Sequence, residues 1–237
     1  MTARIGRRSF MGCLCCAGAG ALTSGLTSLP AQAAERTTSL TADQALARLK
    51  EGNDNFRTDS PVRAGVGRDR RLEIARQQTP FVVLVSCSDS RVPPELLFGR
   101  GLGELFIVRN AGNTVDTAAL GSIEYGVGLL GVPLVVVMGH ERCGAVEAAI
   151  AVVKDNAVFP GSIGAMIEPI VPAVLSVQSK GGDLVQNAVR ANVSRTVNRL
   201  RTASEPILLD PLRSGKLRIV GATYSVDDGD VDFFDEG

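Results

Sequence analysis

Short runs of aliphatic residues alternate along this chain with longer stretches in which apolar residues recur at helical spacing. Residues 82–85 and 133–138 are continuous apolar runs, typical of strands buried on both faces, and residues 105–108 and 216–223 predict two more strands. Helices are predicted over 41–56, 68–78, 93–98, 116–130, 145–153, 166–177 and 183–201. This alternation predicts an α/β fold with a mostly parallel central sheet flanked by helices. The acidic tail, residues 227–236, is expected to be solvated.

The amino-terminal residues have a pattern of their own. Arg7 and Arg8 open the twin-arginine sequence RRSFM, and residues 12–29 are small and weakly apolar. Ala31-Gln32-Ala33 then matches a cleavage site, which predicts a twin-arginine signal peptide over residues 1–33. A membrane anchor is the alternative, but the glycine, serine and threonine content makes this stretch a poor membrane span. The protein is therefore expected to be exported by the twin-arginine route and to be periplasmic or secreted.

The remaining residues, 34–237, are long enough for one domain with a full apolar core. The whole chain has a net charge of zero. The leader holds three arginines and no acid, so the mature chain keeps 22 basic against 25 acidic residues. This balance, without a basic cluster, argues against nucleic acid as a partner. Once the leader is removed, no membrane partner is expected either.

Three of the five cysteines lie in the predicted leader, so the mature chain keeps only Cys87 and Cys143. Two cysteines in an exported protein are commonly joined in a disulfide, which remains one interpretation. Twin-arginine leaders, however, are associated with proteins that fold before export and often carry a cofactor. A metal bound in the cytoplasm would protect both thiolates from oxidation, so the leader favours a metal site.

Both cysteines follow a predicted strand and have other polar residues at regular spacing. Cys87, Asp89 and Arg91 alternate directly after the first strand, and in extended chain they would project to one side. His140, the only histidine, and Cys143 follow the strand over residues 133–138. Because open α/β sheets place their sites at the carboxyl ends of strands, the two segments should meet. Two cysteines and one histidine are a ligand set typical of catalytic zinc with an open fourth position.

These residues resemble the β-class carbonic anhydrases. The resemblance includes the motifs C-x-D-x-R and H-x-x-C-G, the segments GELFIVRNAGN, SIEYGV and VVVMGH, and GATYSVDDG near the carboxyl end. It therefore covers almost all of the mature chain. It implies Zn2+ on Cys87, His140 and Cys143, and reversible hydration of CO2 to bicarbonate and a proton by zinc-bound hydroxide.

The resemblance also implies roles for the two charged residues of the first motif. Asp89 would accept a hydrogen bond from the zinc hydroxide and orient it, and Arg91 would pair with Asp89 and keep it off the zinc. One departure concerns Glu141 and Arg142, in the middle of H-x-x-C, where small or acidic pairs are more usual. Both are expected to point away from the ligands and to have little effect on the chemistry.

A CO2 pocket at a dimer interface is a further implication of the resemblance, with the protein a homodimer or higher homo-oligomer that binds CO2 and bicarbonate. The residues that match the pocket by motif position are Gln78, Phe106, Ala111, Tyr125 and Gly144. Gln78 would donate a hydrogen bond to a substrate oxygen, and Phe106 with Ala111 would form an apolar wall. Without the resemblance, Phe106 and Tyr125 read as core residues and Gln78 as a surface residue at a helix end.

Three other functions are compatible with parts of the pattern. A related zinc hydrolase could act on CS2 or COS with the same ligands. A non-catalytic bicarbonate- or zinc-binding protein would keep the ligands but usually lose the Asp/Arg pair, which this chain retains. A redox or sulfur-transfer protein built on Cys87 would need neither His140 nor zinc.

Overall fold

The computed structural model describes residues 37–60 and 64–236, and its strands form a single twisted layer. The predicted signal peptide, residues 1–33, lies outside the described residues. The strands are β1 (Val82–Ser86), β2 (Leu105–Arg109), β3 (Leu134–His140), β4 (Arg218–Tyr224) and β5 (Val231–Asp235). Their order across the sheet is β2-β1-β3-β4-β5, with four parallel strands and an antiparallel β5 at one edge. The predicted mostly parallel α/β sheet is confirmed.

Helices cover both faces of this sheet. They are α1 (Ala42–Arg57), α2 (Arg68–Ile74), α3 (Pro94–Leu97), α4 (Thr117–Gly128), α5 (Gly144–Asp155), α6 (Ser162–Ile167), α7 (Val171–Val177), α8 (Leu184–Arg201) and α9 (Pro206–Arg213). The helix predicted over residues 68–78 ends earlier, at Ile74, so Gln78 lies in the exposed loop before β1. The helix predicted over residues 166–177 is divided by a 3-10 turn that contains a proline. None of the described helices is long and apolar enough to cross a membrane.

The prediction of a solvated acidic tail is wrong for residues 231–235, which form β5, whereas Asp227 and Asp228 are exposed in the turn before this strand. Val231 is buried, and Phe233 packs beside it against the core on the α1 face of the sheet. The neighbouring acids are neutralised by arginines of α8: Asp232 pairs with Arg190 at 2.6 Å, and Asp235 pairs with Arg201 at 2.7 Å. The acids of this segment are thus part of an edge strand, in which a register shift beside Gly221 and Ala222 interrupts the two-residue period.

The apolar core has two layers because successive strand residues point to opposite faces. Val83, Val85 and Val137 face α4 and α8, and Leu84 and Val136 face α1 and α3. All five residues are fully buried. Burial of an aliphatic side chain of this size stabilises a fold by about 1.5–3 kcal/mol. The pairing of the central strands is therefore strongly specified.

The register of the parallel strands decides where the site forms. Ser86 at the end of β1 lies beside Met138 of β3 and Arg109 of β2. The chain segments that follow β1, β2 and β3 therefore leave the sheet at one edge. A third apolar cluster, from α5, α7 and α8, packs around Cys87 and Cys143 at this edge.

Candidate metal centre

Three side chains that can bind a metal converge at the carboxyl edge of the sheet. Cys87 follows β1, His140 ends β3, and Cys143 precedes α5. Their ligand atoms all lie within 4.8 Å of one another, and all three residues are buried. The two sulfur atoms are 4.0 Å apart, and both cysteines are free thiols. The structure therefore brings together the three residues that sequence spacing singled out, without a disulfide.

The histidine ring is oriented by its own backbone neighbour. His140 Nδ1 lies 2.9 Å from the carbonyl oxygen of Glu141, and a carbonyl can only accept a hydrogen bond. Nδ1 therefore carries the proton, and Nε2 keeps a free lone pair. Nε2 is buried and has no hydrogen-bond partner in the described part of the chain. An unpartnered buried acceptor costs about 1–3 kcal/mol, so this lone pair indicates that Nε2 serves as a ligand atom.

This lone pair is the observation that tests whether a metal fits. A metal-bound histidine typically donates its other ring N–H to a carbonyl or carboxylate, as His140 does to Glu141. Two cysteine sulfurs lie on the same side, and Cys2His is a ligand set that suits zinc. The residues present therefore fit a zinc ion.

The environment of the two thiols favours one thiolate even without metal. A hydrogen bond from the Cys143 thiol lowers the pKa of Cys87, and the backbone N–H of Gly112 acts in the same direction. The Gly112 nitrogen lies 3.3 Å from the Cys87 sulfur. As the donor of that shared proton, Cys143 has its pKa raised, and burial adds to the effect. The site thus holds negative charge where a cation would bind.

Gly112 requires the absence of a side chain at its position. Its φ is +67°, and an added Cβ would lie 2.6 Å from Cδ1 of Ile170. Its carbonyl accepts a hydrogen bond of 2.9 Å from the buried Asn192 of α8. The hydrogen bond from Asn192 therefore helps to fix the Gly112 backbone, whose N–H contacts the Cys87 sulfur. Only glycine combines this conformation with such close packing.

Asp89 and Arg91 form the pair expected from the sequence. Arg91 donates two hydrogen bonds, Nε to Oδ1 at 3.0 Å and Nη2 to Oδ2 at 2.8 Å. These bonds hold the pKa of Asp89 well below its usual range, so the carboxylate stays ionised. Asp89 Oδ2 also lies 3.9 Å from Nε2 of His140. The carboxylate is therefore adjacent to the place where a metal would bind, while its lone pairs are engaged by Arg91.

Sequence reasoning missed Arg109, which fixes the backbone of the first motif. Its Nε donates to the carbonyl of Cys87 at 2.8 Å, and its Nη2 donates to the carbonyl of Asp89 at 2.7 Å. Arg109 is the last residue of β2, beside Ser86 in the parallel register. The sequence feature that could have identified Arg109 is its charge at the carboxyl end of the strand next to β1.

Glu141 and Arg142 point away from the ligands, as expected, but both have specific partners. The Ser225 hydroxyl lies 3.2 Å from a carboxylate oxygen of Glu141. Arg142 makes two hydrogen bonds to Asp227, at 2.8 and 2.7 Å. The second motif is therefore connected to the turn between β4 and β5.

The five residues matched to a substrate pocket fall into two groups. Ala111 is next to Gly112, and Gly144 is next to Cys143, so both lie at the metal-binding edge. Phe106 pairs with Val83 near the start of β1 and stacks on Tyr125 with ring centroids 6.0 Å apart. Gln78 precedes β1 altogether.

These two groups are separated within one chain by the length of β1. At about 3.3 Å per residue, the five-residue strand alone spans about 13 Å. Gln78 lies beyond its amino end, whereas Cys87 follows its carboxyl end. Gln78 is exposed, and Tyr125 is 46% exposed on the outside of α4. One chain therefore does not bring Gln78 to its own Cys87.

The family model described as carbonic anhydrase matches residues 82–231, which include all three converging residues. Carbonic anhydrase 2 of Mycobacterium tuberculosis is 42% identical over 181 residues, which cover 76% of this chain and 87% of that protein. The carbonic anhydrase of Mycolicibacterium smegmatis is 40% identical over 184 residues, 78% of this chain and 89% of that protein.

Solved structures show the same fold. The β-carbonic anhydrase CafA of Aspergillus fumigatus matches with a TM-score of 0.64 at 26% identity, covering 82% of this chain and 91% of that one. A Coccomyxa β-carbonic anhydrase, solved with acetazolamide, gives 0.61 at 25% identity over 83% and 87% of the two chains. The fold is thus that of the β-class carbonic anhydrases. This chain belongs to the carbonic anhydrase family.

Proposed function

We propose that this protein catalyses the reversible hydration of CO2 to bicarbonate and a proton, with zinc as its cofactor. The observation that carries the proposal is the buried lone pair of His140 Nε2, which faces two free cysteines beside an ionised Asp89. Relatives at 42% and 40% identity are named carbonic anhydrases, which supports the same reaction here.

Cys87, His140 and Cys143 are the proposed zinc ligands. Zinc supplies Lewis acidity, which brings the pKa of a bound water down toward neutrality. The chain supports this ligand set from outside: the Gly112 N–H donates to the Cys87 sulfur, and the Glu141 carbonyl fixes the His140 tautomer. Such contacts orient ligands and tune the metal.

Asp89 and Arg91 are proposed to orient the nucleophile. An ionised Asp89 can only accept hydrogen bonds, so it would accept one from the O–H of the attacking oxygen and leave a lone pair for the carbon of CO2. Water would first lose one proton to solvent or buffer, and the hydroxide oxygen would then add to the carbon. One C=O π pair moves to oxygen, and the product leaves as bicarbonate. Arg91 engages both carboxylate oxygens and so opposes direct ligation of the metal by Asp89.

The CO2 pocket is proposed to need two copies of the chain. Ala111 and Gly144 would come from the chain that holds the zinc, and Gln78, Phe106 and Tyr125 from the partner subunit. The exposure of Gln78 and Tyr125 on a single chain, at the opposite end of β1 from Cys87, supports this arrangement. The solved carbonic anhydrases of Sordaria macrospora are described as tetrameric, and we propose at least a homodimer here.

Export by the twin-arginine route is proposed from the leader sequence, RRSFM followed by a small apolar stretch and Ala31-Gln32-Ala33. Because this route carries folded proteins, zinc would be bound before export. The two thiols, 4.0 Å apart, would then enter an oxidising compartment already protected by the metal.

The zinc assignment predicts the behaviour of Cys87→Ala. Loss of one of three protein ligands should lower zinc affinity and CO2 hydration by more than about 100-fold, because ligation needs all three groups together. Zinc content by mass spectrometry and stopped-flow hydration measure both effects. Ser88→Ala is the matched control, since Ser88 lies in the same loop with an exposed side chain.

Near-stoichiometric zinc in Cys87→Ala would show that the ligand assignment is wrong. If the wild-type protein binds zinc and hydrolyses COS or CS2 but does not hydrate CO2, then CO2 is not its substrate.

The shared pocket predicts complementation between two inactive variants. Cys87→Ala lacks the metal site, and Gln78→Ala lacks the donor proposed to act across the interface. Co-expression in equal amounts should restore about a quarter of wild-type activity, because half of the dimers are mixed and each has one complete site. If Gln78 acts on its own chain, mixing gives no recovery.

The leader predicts that Arg7→Lys combined with Arg8→Lys keeps the precursor in the cytoplasm, folded and active. Fractionation of cells followed by immunoblotting and hydration assays measures this. Arg4→Lys, outside the paired arginines, is the control. Unchanged accumulation of processed protein outside the cytoplasm would refute the twin-arginine route.

A further inference from the structure

Arg142 has an unusual backbone conformation next to the proposed zinc ligand Cys143. Its φ is +49°, in the left-handed region that residues other than glycine rarely adopt. Its guanidinium makes two hydrogen bonds to the carboxylate of Asp227, at 2.8 and 2.7 Å. These two hydrogen bonds to the turn between β4 and β5 stabilise the unfavourable backbone conformation of Arg142.

The turn that carries Asp227 is itself firmly anchored. Buried Asn53 of α1 donates to the Gly229 carbonyl at 2.8 Å and accepts from the Val231 N–H at 2.8 Å. Within the turn, the Ser225 N–H donates to the Asp230 carbonyl at 2.8 Å. Asp227 therefore offers Arg142 a carboxylate with a fixed backbone position, unlike most exposed ion pairs.

The backbone carbonyl of Arg142 contacts the charged pair at the metal site. Arg91 Nη2, which also binds Asp89, donates to this carbonyl at 3.2 Å. The Arg91 side chain is 46% exposed, so few packing contacts restrain it. Its hydrogen bond to the Arg142 carbonyl connects it to the second motif. The direction of that carbonyl depends on the left-handed conformation of Arg142.

Release of Arg91 would have a direct consequence at the metal. Asp89 Oδ2 is 3.9 Å from His140 Nε2, and carboxylate oxygen is a good zinc ligand. A small movement of Asp89 would therefore bring it to the fourth position of the proposed zinc site. The two hydrogen bonds from Arg91 are what oppose this movement.

We propose that Arg142 and Asp227 are positioning residues that keep the fourth metal position open. They fix the Arg142 carbonyl, the carbonyl fixes Arg91, and Arg91 holds Asp89 away from the metal. This inference rests on the proposed zinc site and extends it to an ion pair that touches neither the metal nor the substrate.

The test uses protein loaded with Co2+ in place of zinc, because the visible spectrum of cobalt reports its ligands. Thiocyanate, titrated at constant ionic strength, binds a metal position that is open and is excluded if Asp89 occupies it. Arg142→Ala and Asp227→Ala should each weaken thiocyanate binding by about twofold to fivefold, the range expected for loss of a well-oriented exposed pair. The Asp227 side chain is 73% exposed, so its removal leaves the fold intact.

Arg57→Ala is the matched control. Arg57 lies 3.6 Å from Asp230 of the same turn and is 47% exposed, against 50% for Arg142. Among the described residues, no hydrogen bond or ion pair joins Arg57 to the second motif. The thiocyanate affinity of Arg57→Ala should equal that of the wild type. The double variant Arg142→Ala/Asp227→Ala should be no weaker than either single variant, because both remove one interaction.

Wild-type thiocyanate affinity in both Arg142→Ala and Asp227→Ala would overturn the inference, as would additive losses in the double variant. Arg142→Gly separates the ion pair from the backbone, since glycine adopts this conformation without the pair. Its thiocyanate affinity should stay closer to the wild type than that of Arg142→Ala, and a loss as large as that of Arg142→Ala would overturn the backbone step. Wild-type protein that binds neither cobalt nor zinc would instead refute the proposed function itself.

Discussion

The parallel pairing of β1 with β3 is the constraint on which the site depends. Ser86 lies beside Met138, two residues before the end of β3 at His140. Cys87 therefore leaves the sheet next to the carboxyl end of β3. A shift of one residue in this register would exchange the β1 side chains between the two buried faces of the sheet and so disturb the packing of both core layers. The fully buried valines of both strands therefore specify the distance between the thiol and the imidazole.

Hydrogen bonds to backbone groups orient the three converging side chains and the loop beside them. The Glu141 carbonyl sets the imidazole tautomer, the Gly112 N–H contacts the Cys87 sulfur, and the carbonyls of Cys87 and Asp89 are held by Arg109. These groups lie in the segments that directly follow β1, β2 and β3, so the strand ends set where they lie. The loop that presents the charged pair Asp89 and Arg91 is held at two carbonyls by Arg109.

Much of this arrangement was predictable because its determinants are local. Continuous apolar runs identified the parallel strands, and the placement of Cys87, His140 and Cys143 after them identified the edge where they meet. Two failures were non-local. The acidic composition of the tail predicts solvation, because the partners of Asp232 and Asp235, Arg190 and Arg201, lie far away in sequence.

The second failure concerns which side chains meet across the sheet. Nothing in the spacing reveals that Arg109 binds the loop after β1, since that contact depends on parallel register. The separation of Gln78 from Cys87 likewise follows from strand direction, and a second copy of the chain is needed to relate them. Motif position alone gives no distance between two residues of a pocket.

The most direct test of the central claim is X-ray absorption at the zinc edge of purified mature protein. Ligation by Cys87, His140 and Cys143 predicts two sulfur atoms at about 2.3 Å and two lighter atoms at about 2.0–2.1 Å. A zinc shell with no sulfur, or with a single sulfur, would contradict the account, as would metal-free protein with Cys87 joined to Cys143.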